Sequence, residues 1–208
     1  MSHTEAALGG PHAAVGEPSP FAIPAKKLAM LLFIIADIMT FAACLVAYGF
    51  LRNATPNWPR PFQSSTIASV MVMTFILITS SFTMVLAVRA ARAEEKGAAV
   101  RWTMITLAGG ILFALLHIRE WFGMIGQGVT FFQNPWGTGL FGGAYYSVTG
   151  LELLHVIAAL IAFVIVGLGY KSGRYTSDDI ENCGLFWQFI NIVWMFVVPL
   201  VYLMNVAS

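Results

Sequence analysis

The sequence predicts an all-α integral membrane protein, a bundle of five transmembrane helices. Of its 208 residues, 58% are hydrophobic and 10% are charged, whereas about 25% of residues are charged in an average soluble domain. Five apolar runs follow one another, each close to the ~20 residues that cross a hydrocarbon core about 30 Å thick. Because backbone polar groups in lipid must be paired, and because the sequence lacks the alternating strands of a barrel, we predict that these runs are helices.

A tail without an apolar run precedes the bundle. Residues 1–25 combine glycine and proline with other small residues, which bury too little surface to fold, so we expect a mobile N-terminal tail. The tail lacks the pattern of a signal peptide, and we expect it to be retained. Residues 26–208 form the membrane domain, in which turn-forming and charged residues separate the helices. The predicted helices lie at about 27–52, 66–89, 102–125, 145–170 and 184–205.

Basic residues predict the orientation of the bundle. With five spans, eight lysines and arginines near the helix ends fall on one side of the membrane: Lys26, Lys27, Arg89, Arg92, Lys96, Arg101, Lys171 and Arg174. On the other side lie Arg52 and Arg60. Because positively charged loops stay in the cytoplasm, we expect a cytoplasmic N terminus and an external C terminus. The formal net charge of +1 gives no indication of a nucleic-acid partner.

Five acidic or histidine side chains inside the spans are the candidates for function: Asp37, His117, Glu120, Glu152 and His155. A charge at the centre of a membrane helix costs roughly 2.5 to 3.5 kcal/mol, so such residues are rarely there without a role. Asp37 is either a hydrogen-bonded structural acid or a group that handles protons or contacts lipid. His117 and Glu120 are three residues apart, as are Glu152 and His155, so we expect each pair to share a helix face. For His117 and Glu120 we favour a structural network.

Glu152 and His155 also allow a second interpretation. Di-iron proteins built on helix bundles use two Glu-x-x-His motifs and further glutamates. This chain has one such motif and, at His117 and Glu120, one pair in the reverse order. These ligands would suit iron or manganese. A di-metal membrane enzyme that uses Glu152 and His155 is therefore an alternative, although the second motif is missing.

The last run carries aromatic and polar side chains on an otherwise apolar helix. Trp187, Asn191 and Trp194 are spaced four and three residues apart, which places them on one stripe. Pro199 should kink the helix, because proline removes a backbone donor. We expect Glu181 in the loop that precedes this helix.

Four stretches of the chain carry a resemblance to a known family: LLFIIADIMTFAACLVAYGFLR, ILFALLHIREWFGMIGQG, YYSVTGLELLHV and FWQFINIVWMFVVPLVYL. In this order they resemble subunit III of the haem-copper oxidases in its short five-helix form. The third is similar to the family's Phe-Tyr-x-x-Thr-Gly-x-His-x-x-His-Val, and the fourth to its Tyr-Trp-His-Phe-Val-Asp-x-Val-Trp-x-x-Leu. The resemblance covers most of the chain beyond the tail.

The chain departs from the family's pattern at four positions. Asp37 stands where the family usually has glutamate. Glu152 replaces the first histidine of the Thr-Gly-x-His motif, while His155 keeps the second. Gln188 and Asn191 stand where the family has histidine and aspartate. These differences mark a divergent branch and put a proton role for the fifth helix in doubt.

The resemblance implies a subunit of the bacterial cytoplasmic membrane with no metal, redox centre or active site of its own. Its partner, the catalytic subunit I, would hold haem and copper, reduce oxygen and translocate protons. Family members bind phospholipid in a cleft between the first two helices and the rest, and they support proton uptake. Asp37 would face that cleft, with Glu120 and His155 as polar positions that stabilise the bundle. The electron donor, cytochrome c or quinol, stays open, and an accessory subunit of a nitric oxide reductase complex is an alternative.

Overall fold

The protein is described by a computed structural model that covers residues 23–207. These residues form α1 (Ala25–Ala54), α2 (Ser64–Arg92), α3 (Lys96–Gly126), α4 (Leu140–Lys171) and α5 (Ser177–Val197). All five helices are long and apolar enough to cross a membrane, so the predicted all-α membrane fold is confirmed. Most of the predicted tail lies outside the described residues, and Ala25 already belongs to α1.

The starts of α3, α4 and α5 differ from the prediction. Helix α3 begins at Lys96 and α4 at Leu140, six and five residues before the predicted starts. Helix α5 begins at Ser177, well before the apolar run, where a capping box stabilises its first turn. The Thr176 backbone N–H and side-chain hydroxyl donate to Asp179 Oδ2 at 2.9 and 3.0 Å, which satisfies groups that a helix start leaves unpaired. Glu181 therefore lies inside α5, and its predicted placement in a loop is wrong because hydropathy does not detect a polar first turn.

The helices pack as a four-helix group with α1 at its edge. Helix α2 lies against α3 and α5, α3 against α4, and α4 against α5, whereas α1 packs on α4 and α5. Within α1 the buried residues are Phe41 and Tyr48. Buried small residues of α2, such as Ser80, Thr83 and Ala87, allow its neighbours a close approach. The expected division between the first two helices and the rest is therefore wrong, because α2 belongs to the main group.

The C-terminal segment does not continue α5 as a kinked α-helix. A π-helical turn at Val198–Tyr202 contains Pro199 near its start, and a short 3₁₀ turn follows at Leu203–Asn205. Proline cannot supply the N–H that an α-helix needs there, so the backbone adopts a wider turn. Beyond it, Ala207 N–H donates to Phe62 O at 2.9 Å, which joins this segment to the connection between α1 and α2.

The bundle has two chemically different ends. The basic end holds the start of α1 and the α2–α3 and α4–α5 turns, and three ion pairs of residues 23–207 lie there. Glu181 accepts from Lys27 at 2.6 Å and from Arg92 at 2.8 Å. Lys26 reaches Asp179 at 2.9 Å. These pairs join α1 and α2 to α5. The opposite end, here called the long-loop end, holds the α1–α2 and α3–α4 connections, and which end faces the cytoplasm stays a prediction.

Candidate functional site

Asp37 and His155 meet within the membrane-spanning part of the bundle. Asp37 projects from α1, and its Oδ2 lies 3.1 Å from Nε2 of His155 on α4. The other ring nitrogen, Nδ1, lies 2.7 Å from the backbone oxygen of Leu151. A carbonyl only accepts, so Nδ1 carries a hydrogen. One more proton must then lie between Nε2 and Oδ2, either on the imidazole or on the carboxyl group. The pair is a one-proton contact.

Aromatic side chains separate this pair from water. The His155 ring centroid lies 5.2 Å from that of Phe41, 6.0 Å from that of Phe186 and 6.3 Å from that of Phe189. The side chains of His155 and Asp37 are 11% and 16% exposed. In such a poorly solvated place an unpartnered charge is costly, so the two groups depend on each other.

An apolar groove runs beside the pair, between α1 and α5. Its volume is about 520 Å³, and Phe41 and Phe189 line it while also contacting His155. Among the described residues along its walls, Gln188 is the one with a polar side chain. A smaller recess of about 260 Å³ between α2 and α5 shares Gln188 and carries Arg89 and Arg92 towards the basic end.

A second polar cluster lies between α3 and α4. Tyr145 donates its hydroxyl to Glu120 Oε1 at 3.1 Å. Glu152 is fully buried and lies two helical turns after Tyr145 on the same face of α4, but its oxygens have no hydrogen-bond partner among the described residues. His117 is also fully buried, and its nitrogens likewise lack a partner within residues 23–207.

The ring of His117 is enclosed by aromatic side chains. Its centroid lies 5.6 Å from Phe113, 5.8 Å from Trp121 and 5.7 Å from Trp194. These contacts come from α3 itself and from α5. His117 is therefore packed as part of the core, and the polar network expected for it is not seen among the described residues.

The side chains of Glu152 and His155 point away from α4 in different directions. His155 binds Asp37 of α1, whereas Glu152 interacts with Glu120 of α3. Within residues 23–207, no group of three or more histidine, cysteine or acidic side chains could hold a metal ion. The di-metal alternative therefore lacks the common site that it needs.

Four residues of α5, here called the fifth-helix signature, are Trp187, Gln188, Asn191 and Trp194. Its two tryptophans attach α5 to α2. Trp187 donates its Nε1–H to Ser80 Oγ at 3.2 Å, and Trp194 donates to Thr74 Oγ1 at 2.9 Å. Both rings are fully buried. The two indoles therefore connect the helices by hydrogen bonds as well as by packing.

The amide side chains of Gln188 and Asn191 also form hydrogen bonds within the helix bundle. Gln188 accepts a short hydrogen bond from the Ser81 hydroxyl and donates to the Ser81 backbone oxygen at 3.2 Å. Asn191 donates to the Trp187 backbone oxygen at 2.8 Å. Neither residue contacts Asp37 or His155 through these bonds, so the fifth-helix signature and the one-proton contact are separate features.

Comparison with known proteins identifies the family. The family model described as cytochrome c oxidase subunit III matches residues 5–206. The chain belongs to the cytochrome c oxidase subunit III family. It is 30% identical over 186 residues to cytochrome c oxidase subunit 3 of Alkalihalophilus pseudofirmus, covering 88% of both chains. It is also 30% identical to quinol oxidase subunit 3 of Bacillus spizizenii, with 85% of this chain and 86% of that one covered.

Membership of the family confirms the main prediction from the sequence. This subunit III is part of a haem-copper terminal oxidase and associates with other oxidase subunits. With its five apolar helices it is a multi-pass protein of the bacterial inner membrane. A further relative is cytochrome c oxidase subunit 3 of Synechocystis, 29% identical, with 86% of this chain and 76% of that one covered. The relatives thus include oxidases named for both electron donors.

Proposed function

We propose that this subunit III keeps proton uptake by the catalytic subunit I intact, and that the Asp37–His155 contact carries this role. Subunit I would hold the haem and copper and reduce oxygen. The observation behind the proposal is the one-proton contact, in which Nδ1 of His155 is fixed by Leu151 O while Nε2 faces Asp37. A carboxyl and an imidazole in hydrogen-bond contact can each hold the proton that the other releases.

The position of Asp37 suits this role better than that of any acid in the main helix group. Helix α1 is the edge helix, and Asp37 is half-buried while neighbours such as Ile38 and Met39 are exposed. Exposed apolar side chains on a membrane helix contact lipid or another subunit. An acid beside such a surface can respond to a partner that packs there.

A bound phospholipid is the second part of the proposal. The groove between α1 and α5 offers an apolar channel of about 520 Å³, and the adjoining recess carries Arg89, Arg92 and Glu181 at the basic end. Glu181 pairs with Arg92, so Arg89 is the guanidinium group that a phosphate would meet. Acyl chains favour the apolar walls, and a phosphate group favours the guanidinium groups. A phospholipid held there would cover Phe41 and Phe189 and keep water away from the Asp37–His155 contact.

The substitution Asp37→Asn tests the proton role. Asparagine keeps the size of the side chain and can still donate a hydrogen bond to His155, but it cannot take up or release a proton near neutral pH. We expect the variant complex to assemble and bind haem normally, and to show lower oxygen reduction or a shorter active lifetime. His155→Gln should have the same effect.

Asp178→Asn is the matched control, because Asp178 is an exposed carboxylate at the basic end and forms no ion pair among the described residues. Turnover and active lifetime of the control should equal those of the parent complex. If the Asp37→Asn complex assembles and also retains parental turnover and lifetime, Asp37 is a structural acid and the proton role is wrong.

A further inference from the structure

A second acid site lies apart from the Asp37–His155 contact, between α3 and α4. We propose that Glu120 and Glu152 form one proton-binding site that exchanges its proton with water at the long-loop end. This inference does not depend on the role proposed for Asp37, because the two sites share no hydrogen bond.

The burial of Glu152 and the charges around the two glutamates indicate that the pair keeps a proton. Glu152 is fully buried, and no lysine or arginine of residues 23–207 forms an ion pair with it or with Glu120. If both carboxyl groups were ionised, two like charges would lie near each other without a compensating cation. Two carboxylates that share a poorly solvated site do not both ionise, and the pair keeps a proton.

The hydrogen bonds indicate which glutamate carries the proton. Tyr145 donates to Glu120 Oε1, and a donated hydrogen bond stabilises a carboxylate. Glu152 receives no such bond from the described residues. Its neutral form is therefore favoured. Within the described part of the chain, Glu120 has one unpartnered buried oxygen, Oε2, and one bonded oxygen, so it is the member of the pair better able to hold a charge.

A polar recess connects the pair to the aqueous side. Glu120 lines an open recess of about 240 Å³ between α2 and α3, together with the hydroxyl groups of Ser65, Thr66 and Ser69. Arg119 and Gly123 lie in the same wall. The recess adjoins the start of α2 and the end of α3, which are at the long-loop end. The recess reaches Glu120 and not Glu152, so proton exchange between water and the site would pass through Glu120.

Few other ionisable groups act on the pair. From α4, Tyr145 and Tyr146 interact with Glu120, and from the π-helical turn Tyr202 interacts with both glutamates. The residues that line the recess from α2 are serines and a threonine, which carry no charge. On α3 itself, Arg119 lines the recess beside Glu120 and the buried His117 lies three positions before it, so the Glu→Gln variants decide whether a change in protonation between pH 5 and 8 belongs to the glutamates.

Infrared spectroscopy of the intact oxidase complex tests the site, since protonated carboxyl groups absorb apart from carboxylates. At neutral pH, Glu152→Gln should remove one protonated carboxyl band, and Glu120→Gln should shift that band without removing another. Glutamine matches glutamate in size, and haem content reports assembly of each variant. Glu181→Gln, at an ion-paired glutamate of the basic end, is the control and should leave the band unchanged.

Two results would overturn the shared site. If the Glu152→Gln variant keeps every protonated carboxyl band, Glu152 holds no proton. Loss of a separate band in each of the two variants would mean two independent neutral acids. The route is tested with Gly123→Leu, because a side chain at Gly123 has open space to fill. Deuterium exchange of the carboxyl band should slow at least severalfold in this variant, and an unchanged rate would exclude the recess as the route.

Discussion

The Thr74 hydroxyl group joins α2 to α5 through a hydrogen bond. It accepts from the indole N–H of Trp194 and donates to the Val70 backbone oxygen at 2.8 Å. Replacing the hydroxyl with a methyl group of similar size leaves a buried N–H without a partner. Within a membrane protein such bonds contribute about 0.6 kcal/mol on average and up to about 1.7 kcal/mol.

We therefore expect Thr74→Val to lower the free energy of unfolding by about 1 kcal/mol, the cost of leaving a buried donor unpaired. Thr79→Val is the control, because Thr79 is exposed and its hydroxyl bonds to Phe75 O alone among the described residues. Thermal release of the subunit from the complex in mild detergent would measure both variants. Equal release temperatures would show that the Trp194 hydrogen bond contributes nothing.

At the residue scale the sequence identified which ionisable groups lie inside the bundle, but not their partners. A spacing of three residues leaves about 60° between two side chains around a helix. That angle is enough for His155 to face α1 while Glu152 faces α3. Asp37 and His155 are separated by 118 positions, and no local pattern relates them. Tyr145, the donor to Glu120, was missed as a functional partner because a tyrosine near a helix start is typical of a membrane interface.

At the element scale, the α3–α4 loop is held tightly over the start of α4. A side chain added at Gly142 would collide with the backbone oxygen of Thr130, whereas one added at Gly143 would make an ordinary contact with Phe131 O at 3.4 Å. The hydroxyl of Tyr146 donates to Val129 O at 3.0 Å, which fixes the same loop. The loop backbone therefore has little room to move away from α4.

Gly142→Ala should accordingly destabilise the bundle by about 1–3 kcal/mol, the usual cost of overpacking. Gly143→Ala should be neutral or slightly stabilising, because alanine favours a helix by up to about 1 kcal/mol over glycine. Chemical denaturation of the purified complex, followed by helix content, measures both. Similar midpoints for the two variants would contradict the close contact with Thr130.

The sequence predicted well that the five helices exist, and it predicted less well where each helix begins and ends. Hydropathy located all five helices because a membrane span must be apolar throughout its length. It missed the first turn of α5, where Thr176 and Asp179 form a polar cap. Hydropathy predicted a kink at Pro199 but not the π-helical turn, since a missing N–H alone does not determine how the backbone rearranges around it.

At the scale of the whole molecule, packing was the part that hydropathy could not predict. Side chains that face lipid and side chains that face another helix are both apolar, so the sequence does not show which faces meet. The edge position of α1 and the groove beside it therefore appear only in the structure. Basic residues predicted that the ends differ, and the ion pairs of Glu181 at the basic end agree with that distribution.

This chain belongs to the subunit III family, and we expect it to lie beside a catalytic partner that holds the redox centres. The most direct measurement is native mass spectrometry of the complex isolated in mild detergent through a tag on this chain, combined with haem and metal analysis. We expect one copy of this chain bound to a larger subunit that carries haem and copper. Recovery of the chain without such a subunit, or with its own stoichiometric iron or manganese, would contradict the account.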